Sequence, residues 1–285
     1  MKEIVIISGK GGTGKTSLTA SFAGLAGQSV IADCDVDAAD LHLLLKPKIL
    51  AAHPFVAGHL AVIDPGRCRR CGRCAELCRF GAVRAAGVID PLRCEGCGVC
   101  VDLCPAGAIA FPERHCGEYY ESETVYGAMV HAKLAPAAEN SGKLVSQVRR
   151  VARELAVKKR TELMLTDGPP GIGCPVIAAL GGASLVLAVT EPTVSGEHDL
   201  ERVLKLAAHF EIPALVCVNK FDLNIDVTQR IEAMALRHRA GLAGRIPYDH
   251  IFTEAMVNGE LVIDYPASAA AGAIRKIWEH LWKIK

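Results

Sequence analysis

The 285-residue chain is poor in aromatics, at 5%, and carries almost no net charge, at +1. Nucleic-acid binders usually show bulk positive charge or aromatic stacking platforms, so both shortages argue against that class of partner. No apolar run reaches the roughly 18 residues that a membrane span needs. No leader-like segment precedes the first apolar strand pattern, Ile4-Val5-Ile6-Ile7, so the expected location is the cytoplasm. Global disorder is excluded as well, because 51% of residues are hydrophobic and only 22% are charged.

Cysteine is what the chain has in excess, with twelve. In a reducing compartment that number points to metal rather than to disulfides. Eight lie between Cys68 and Cys104, while Cys34, Cys116, Cys174 and Cys217 are scattered. Composition changes near Gly58 and changes back after Phe111, which predicts one domain from 1–57 and 116–285 with a second, 58–115, inserted in it. Outside the insert, apolar strands at 3–8, 29–32, 163–166, 185–190 and 214–219 alternate with helical patterns. The helices are expected at 15–24, 38–45, before 160, at 195–210, at 226–240 and from about 267. This alternation predicts an α/β fold, a mostly parallel sheet covered by helices on both faces.

The phosphate chemistry is written in Gly9-Lys10-Gly11-Gly12-Thr13-Gly14-Lys15-Thr16, with Ser17 following. It matches Gly-x4-Gly-Lys-Ser/Thr between a strand and a helix. Glycines let the backbone N–H groups surround phosphate oxygens, and the helix N-terminus adds positive potential. Lys15 is expected on the β- and γ-phosphates of ATP and the Thr16 hydroxyl on Mg²⁺.

An internal repeat fills the insert. Asp64 to Val83 matches Asp90 to Ile109 at an offset of 26, each copy reading Asp-Pro-x-Arg-Cys-x2-Cys-Gly-x-Cys-x2-Leu-Cys. The spacing is that of bacterial two-cluster ferredoxins, in which the fourth cysteine of each run serves the other cluster. Cys68, Cys71, Cys74 and Cys104 are therefore expected on one [4Fe–4S] cluster, and Cys78, Cys94, Cys97 and Cys100 on the other. Zinc also takes thiolates, but it does not call for two matched four-cysteine runs. Cys104 precedes Pro105, whereas Cys78 precedes Arg79, where ferredoxins usually carry proline. Arg67, Arg69, Arg70, Arg73 and Arg79 crowd the first run. Three roles stay open for them: raising a cluster potential, docking an acidic redox partner, or offsetting cluster charge.

Lys10 is an additional lysine in the phosphate loop, and with it the chain resembles the MinD/ParA ATPases and the nitrogenase iron protein. The resemblance covers nearly the whole chain, as a MinD-superfamily ATPase with an inserted ferredoxin-like domain. It implies an ATP-dependent homodimer in which Lys10 reaches the partner's nucleotide. It implies Asp35, in Asp33-Cys34-Asp35, as the residue that orients the attacking water, with Asp33 near the metal. Asp167, in Leu165-Thr166-Asp167-Gly168-Pro169-Pro170-Gly171, would hold Mg²⁺ through water, and Gly171 would sense the γ-phosphate. Asn219 and Pro247 would contact the adenine. Asp37 and Asp40 read as a solvated face or helix cap.

The function expected from this combination is ATP hydrolysis coupled to electron transfer toward a redox partner. The alternatives are a ParA/MinD-like positioning or assembly switch, and an iron–sulfur carrier. The carrier ranks last, because Mrp-type relatives use a Cys-x-x-Cys near the C-terminus and none occurs here after residue 100. Cys174 is expected either as a small buried side chain or, with Cys116, on a third, bridging cluster. Cys34 and Cys217 are expected in the core. Ile274, Ile277, Trp278, Leu281 and Trp282 form an apolar stripe that suits packing on the sheet or peripheral membrane contact.

Overall fold

In the computed structural model of the chain, the described residues are 1–84, 87–135, 138 and 141–284. The strands in chain order are β1 (Lys2–Ser8), β2 (Val30–Asp33), β3 (Lys48–His59), β4 (Val62–Ile63), β5 (Val83–Arg84), β6 (Val88–Ile89), β7 (Ile109–Ala110), β8 (Glu113–Thr124), β9 (Gly127–Leu134), β10 (Leu163–Pro170), β11 (Leu185–Thr190), β12 (Ala214–Asn219) and β13 (Gly241–Ile246). The helices are α1 (Lys15–Ala26), α2 (Leu41–Leu45), α3 (Arg73–Leu77), α4 (Val99–Asp102), α5 (Ser141–Lys159), α6 (Cys174–Leu180), α7 (Val194–His209), α8 (Ile225–Arg237), α9 (Ile251–Asn258) and α10 (Ala269–Lys283). The chain divides into two compact units, Met1–His53 with Tyr119–Lys133 and Ser141–Lys285, and Pro54–Glu118 with Leu134–Asn140.

A nine-stranded sheet runs in the order β13-β12-β11-β1-β10-β2-β9-β8-β3. The pairs from β13 across to β9 are parallel. Helices cover both faces of such a sheet, so its central strands are apolar without alternation. Ile4, Val5, Ile6 and Ile7 of β1 are all fully buried. Leu18 and Phe22 of α1 and Ile274, Ile277 and Leu281 of α10 pack into the same core. Trp278 stacks on Phe22 at 5.6 Å. The stripe of the last helix is thus largely taken up by the chain's own core, with Trp282 left exposed.

Helix starts follow side-chain chemistry. Thr193, Asn224 and Ser268 accept N–H bonds from Gly196, Val227 and Ala271 at the heads of α7, α8 and α10. Such caps contribute about 1 kcal/mol each. The expected helix 38–45 is shorter, Leu41–Leu45, because the chain turns at Asp35–Ala38 first. The expected helix 226–240 ends at Arg237, where the His238 N–H closes on Met234 and Ala235. No strand was expected at β3, β8, β9 or β13, nor a helix at α9.

In the second unit, β4 pairs antiparallel with β7 and β5 with β6. Helices α3 and α4 have no buried residue.

Candidate functional site

Strand β1 lies between β10 and β11, so the loop after it opens at the carboxyl edge of the parallel strands, where ligands collect in such sheets. Gly14 heads α1 with φ 87°, and a Cβ there would lie 2.6 Å from Asn219 Nδ2. Only glycine meets both demands. Asn219 Nδ2 in turn donates to the Thr13 carbonyl at 2.9 Å, tying the end of β12 to the loop.

Lys15 is 5% exposed and reaches Asp167 Oδ1 at 3.0 Å and Asp35 Oδ2 at 3.3 Å. The Thr16 and Thr19 hydroxyls donate to the two Asp167 oxygens at 2.8 and 3.0 Å. Burial alone would lower the Lys15 pKa, but the Asp167 and Asp35 carboxylates outweigh it and hold the ammonium charged. Burial raises the pKa of Asp35. Burial, and then the Asp167 charge, raise that of Asp33 well above the carboxylate range. Asp33 Oδ1 accepts the Asp35 N–H, while its buried Oδ2 has no partner.

A cleft of about 750 Å³ opens over this floor. Gly11 to Ser17, Asp35 and Asn219 line it, as expected for a nucleotide site. Asp37 and Asp40 line it too and are solvent-exposed, and Asp40 makes no side-chain cap. So do Tyr248, Asp249, Phe252 and Met256, an apolar and acidic wall. Pro247 is outside the lining, one residue short of it. Gly9 packs beside Asp199 of α7, and the Gly171 N–H donates to the Ser8 carbonyl at 2.9 Å.

Lys10 is turned away from the cleft lining. Its Nζ lies 2.6 Å from Glu191 Oε1 and 3.2 Å from both Thr193 Oγ1 and Ser195 Oγ. Lys220 holds the other Glu191 oxygen at 3.2 Å. Partial burial would raise the Glu191 pKa, but the two lysines draw it below its usual value.

The second unit gathers the eight clustered cysteines around two cavities. Cys68, Cys71, Cys74 and Cys104 line one of about 290 Å³. Cys78, Cys94, Cys97 and Cys100 line the other, of about 20 Å³. The Ala108 N–H donates to Cys104 Sγ and the Ala82 N–H to Cys78 Sγ, each at 3.3 Å. Among the described residues no group of three or more His, Cys, Asp or Glu side chains is arranged to hold a single metal ion. All twelve cysteines are free.

The comparisons with known proteins decide the family. The CobQ/CobB/MinD/ParA nucleotide binding domain matches residues 4–262. The chain belongs to this family. An uncharacterised protein of Methanocaldococcus jannaschii is 32% identical over 282 residues, covering 98% of this chain and 96% of that one. The septum site-determining protein MinD of Pyrococcus horikoshii, solved with Mg-ADP, superposes with a TM-score of 0.62 at 20% identity, covering 99% and 96% of the two chains. The Pyrococcus furiosus cell division ATPase MinD gives 0.61 at 21% identity, covering 100% and 99%. These structures share the α/β P-loop fold.

For a MinD/ParA-family P-loop ATPase, the phosphate loop, Asp35 and Asp167 converge where the pattern anticipates them. The pairing of Lys10 with Glu191 was missed, as were Phe252 and Met256 of α9. Glu191 sits 181 residues from Lys10 in sequence, and no local pattern links them. The expected buried state of Cys174 is corrected: it is exposed at the first position of α6, because that short helix buries only Val176, Ala179 and Leu180. Cys116 is buried, with its Sγ 3.1 Å from the Ala57 carbonyl, and Cys34 and Cys217 are core residues. No helix among the described residues is long and apolar enough to cross a membrane.

Proposed function

We propose that the chain is an ATP-driven switch of the MinD/ParA type. The observation that carries this reading is the floor of the cleft, where Lys15, Thr16, Asp35 and Asp167 meet within hydrogen-bond reach. The loop amides and Lys15 take the triphosphate, and Lys15 must then exchange a carboxylate for phosphate oxygens. Thr16 and Asp167 would hold Mg²⁺, which would supply neutralisation of phosphate charge. The orphaned Asp33 Oδ2 beside them fits an outer role at that metal. Asp35 orients the attacking water, and Asn219 contacts the base. The Mg-ADP held by the Pyrococcus horikoshii neighbour supports the same ligand here.

Two copies close around ATP when Lys10 leaves Glu191 for the partner's nucleotide. Sedimentation velocity with MgATP and with MgADP tests this. A dimer with MgATP alone, lost in Lys10→Ala, is expected; a monomer in every nucleotide state contradicts it.

The second unit, an inserted ferredoxin-like domain in this reading, would hold two [4Fe–4S] clusters, one on Cys68, Cys71, Cys74 and Cys104 and one on Cys78, Cys94, Cys97 and Cys100. What supports this is the donor chemistry alone, four thiols lining each cavity. Only the first cavity has room for more than about one water. The family likeness favours the switch over electron transfer as the main activity. The thiol-lined cavities favour electron transfer as a second reading. An anaerobic redox titration with and without MgATP separates the two. A nucleotide-dependent shift near 59 mV, tenfold in equilibrium constant for one electron, supports coupling. An unchanged potential supports the switch alone.

A further inference from the structure

The two cysteine sites form a matched pair within one unit, and the match isolates what differs. Gly72 and Gly98, 26 residues apart, share a left-handed backbone at φ 80° and 78°. The amide bonds to Cys78 and Cys104 have equal lengths. The side chains do not repeat: Arg69, Arg70 and Arg73 of the first run correspond to Glu95, Gly96 and Val99 of the second. Arg69, Arg70, Arg73 and Arg84 line the first cavity, whereas Glu95 and no arginine line the second. Arg70 has φ 53° and its counterpart Gly96 has φ 61°. A position suited to glycine thus carries arginine in the first copy, against its backbone preference.

All three arginines are exposed. The ion pairs of this stretch among the described residues join Asp90 to Arg84 and Arg93 and leave Arg69, Arg70 and Arg73 without a carboxylate. Leu77 and Leu103, in the same two runs, are 38% and 43% exposed. Exposed leucine among arginines suits a protein face, and the scarcity of aromatics does not suit base stacking.

We propose that the arginine rim of the first site docks an acidic protein that carries a one-electron centre, and that electrons are exchanged there rather than at the second site. This rests on the reading that the thiols hold clusters. One electron leaves the first site and reduces the partner's oxidised centre, and no bond or proton changes hands.

The test uses one haem protein in two charge states. Loaded, reduced, desalted full-length protein is mixed in stopped flow with native cytochrome c, which is basic, and with its fully succinylated, acidic form. Haem absorbance is followed across a range of ionic strength. The acidic form should be reduced faster at low salt and lose that advantage as salt rises. R69Q/R70Q/R73Q should cut its rate about tenfold at low salt without slowing the basic form. R69Q/R73Q, which spares the left-handed position, should show the same direction, and E95Q should leave the acidic form unslowed. Equal rates and salt slopes for parent and triple variant, at equal iron content, overturn the proposal. A gel shift with single-stranded poly(U) that the triple variant loses also overturns it, by giving the rim to nucleic acid. A chain that takes up no iron or sulfide on anaerobic reconstitution removes the cluster reading itself, which is a separate failure.

Discussion

The two units of this chain are held together differently. The first buries whole strands and helix faces, from Ile4 in β1 to Leu281 in α10. Within Pro54–Glu118 of the second, the buried apolar side chains among the described residues are Phe55, Ala57, Ala61, Ala82, Ala108, Ile109 and Cys116. Four of these are alanines, while Leu77, Phe80, Val88, Leu92, Val99 and Leu103 are exposed. A unit of this size seldom folds on so small a core without disulfides or metal. Its cysteines form no disulfide. The comparison teaches that the first unit is stabilised by apolar burial and that the second has little of it, a shortfall that the ligand proposed at its thiols would offset.

The sharpest separation should come from Lys15→Ala. Loss of the buried ammonium should weaken MgATP turnover by about 10²-fold or more. Iron content, measured on the same sample, should not change. If both fall together, the two units are not chemically separate.

Cys71→Ser should do the reverse. One site should lose a ligand, iron per chain should fall by about half, and ATP binding measured by calorimetry should persist. Full iron retention would contradict the assignment of Cys71.

The core of the first unit also predicts a pH effect. His131, held by Ser122 at 3.0 Å and stacked near Tyr120 and His42, is lowered from 6.5 to about 4 by burial and then by the His42 charge. Between these values the unfolded chain binds the proton and the folded one does not, so stability falls as pH drops from about 6.5 toward 4. The loss is at most about 3 kcal/mol. Urea midpoints for the first unit at pH 7 and pH 5 should differ, and His131→Phe should reduce the difference. A flat profile in the parent chain would refute it.

Glu191→Gln gives the smallest expected effect. It loosens Lys10, and also Lys220 at the cleft wall, so the MgATP concentration for dimer formation should fall about threefold to tenfold. Sedimentation measures it, and a higher requirement would mean that Glu191 helps closure instead of restraining Lys10.

Much of this was legible in residue order, for reasons that differ by region. The phosphate loop is contiguous, and strand–loop–helix context surrounds it, so Gly9 to Thr16 could be read at once. The cysteine runs are legible because the repeat is local, and the expected grouping of Cys104 with the first three and Cys78 with the second three came from the ferredoxin spacing and matches which cysteines line each cavity. Strand β9 was not legible, since Gly127 to Leu134 mixes His131 and small residues without alternation. The α9 wall was missed because Phe252 and Met256 sit on a two-turn helix too short to show its period. The Lys10–Glu191 pair depends on the β1–β11 adjacency, which only the folded sheet creates.

The most direct measurement is hydrogen exchange, read by mass spectrometry on anaerobically reconstituted protein before and after iron is removed under reducing conditions. The account predicts that amides in 58–115 lose protection while those of β1, β10 and β11 keep theirs. Unchanged protection in 58–115 after iron removal would contradict it.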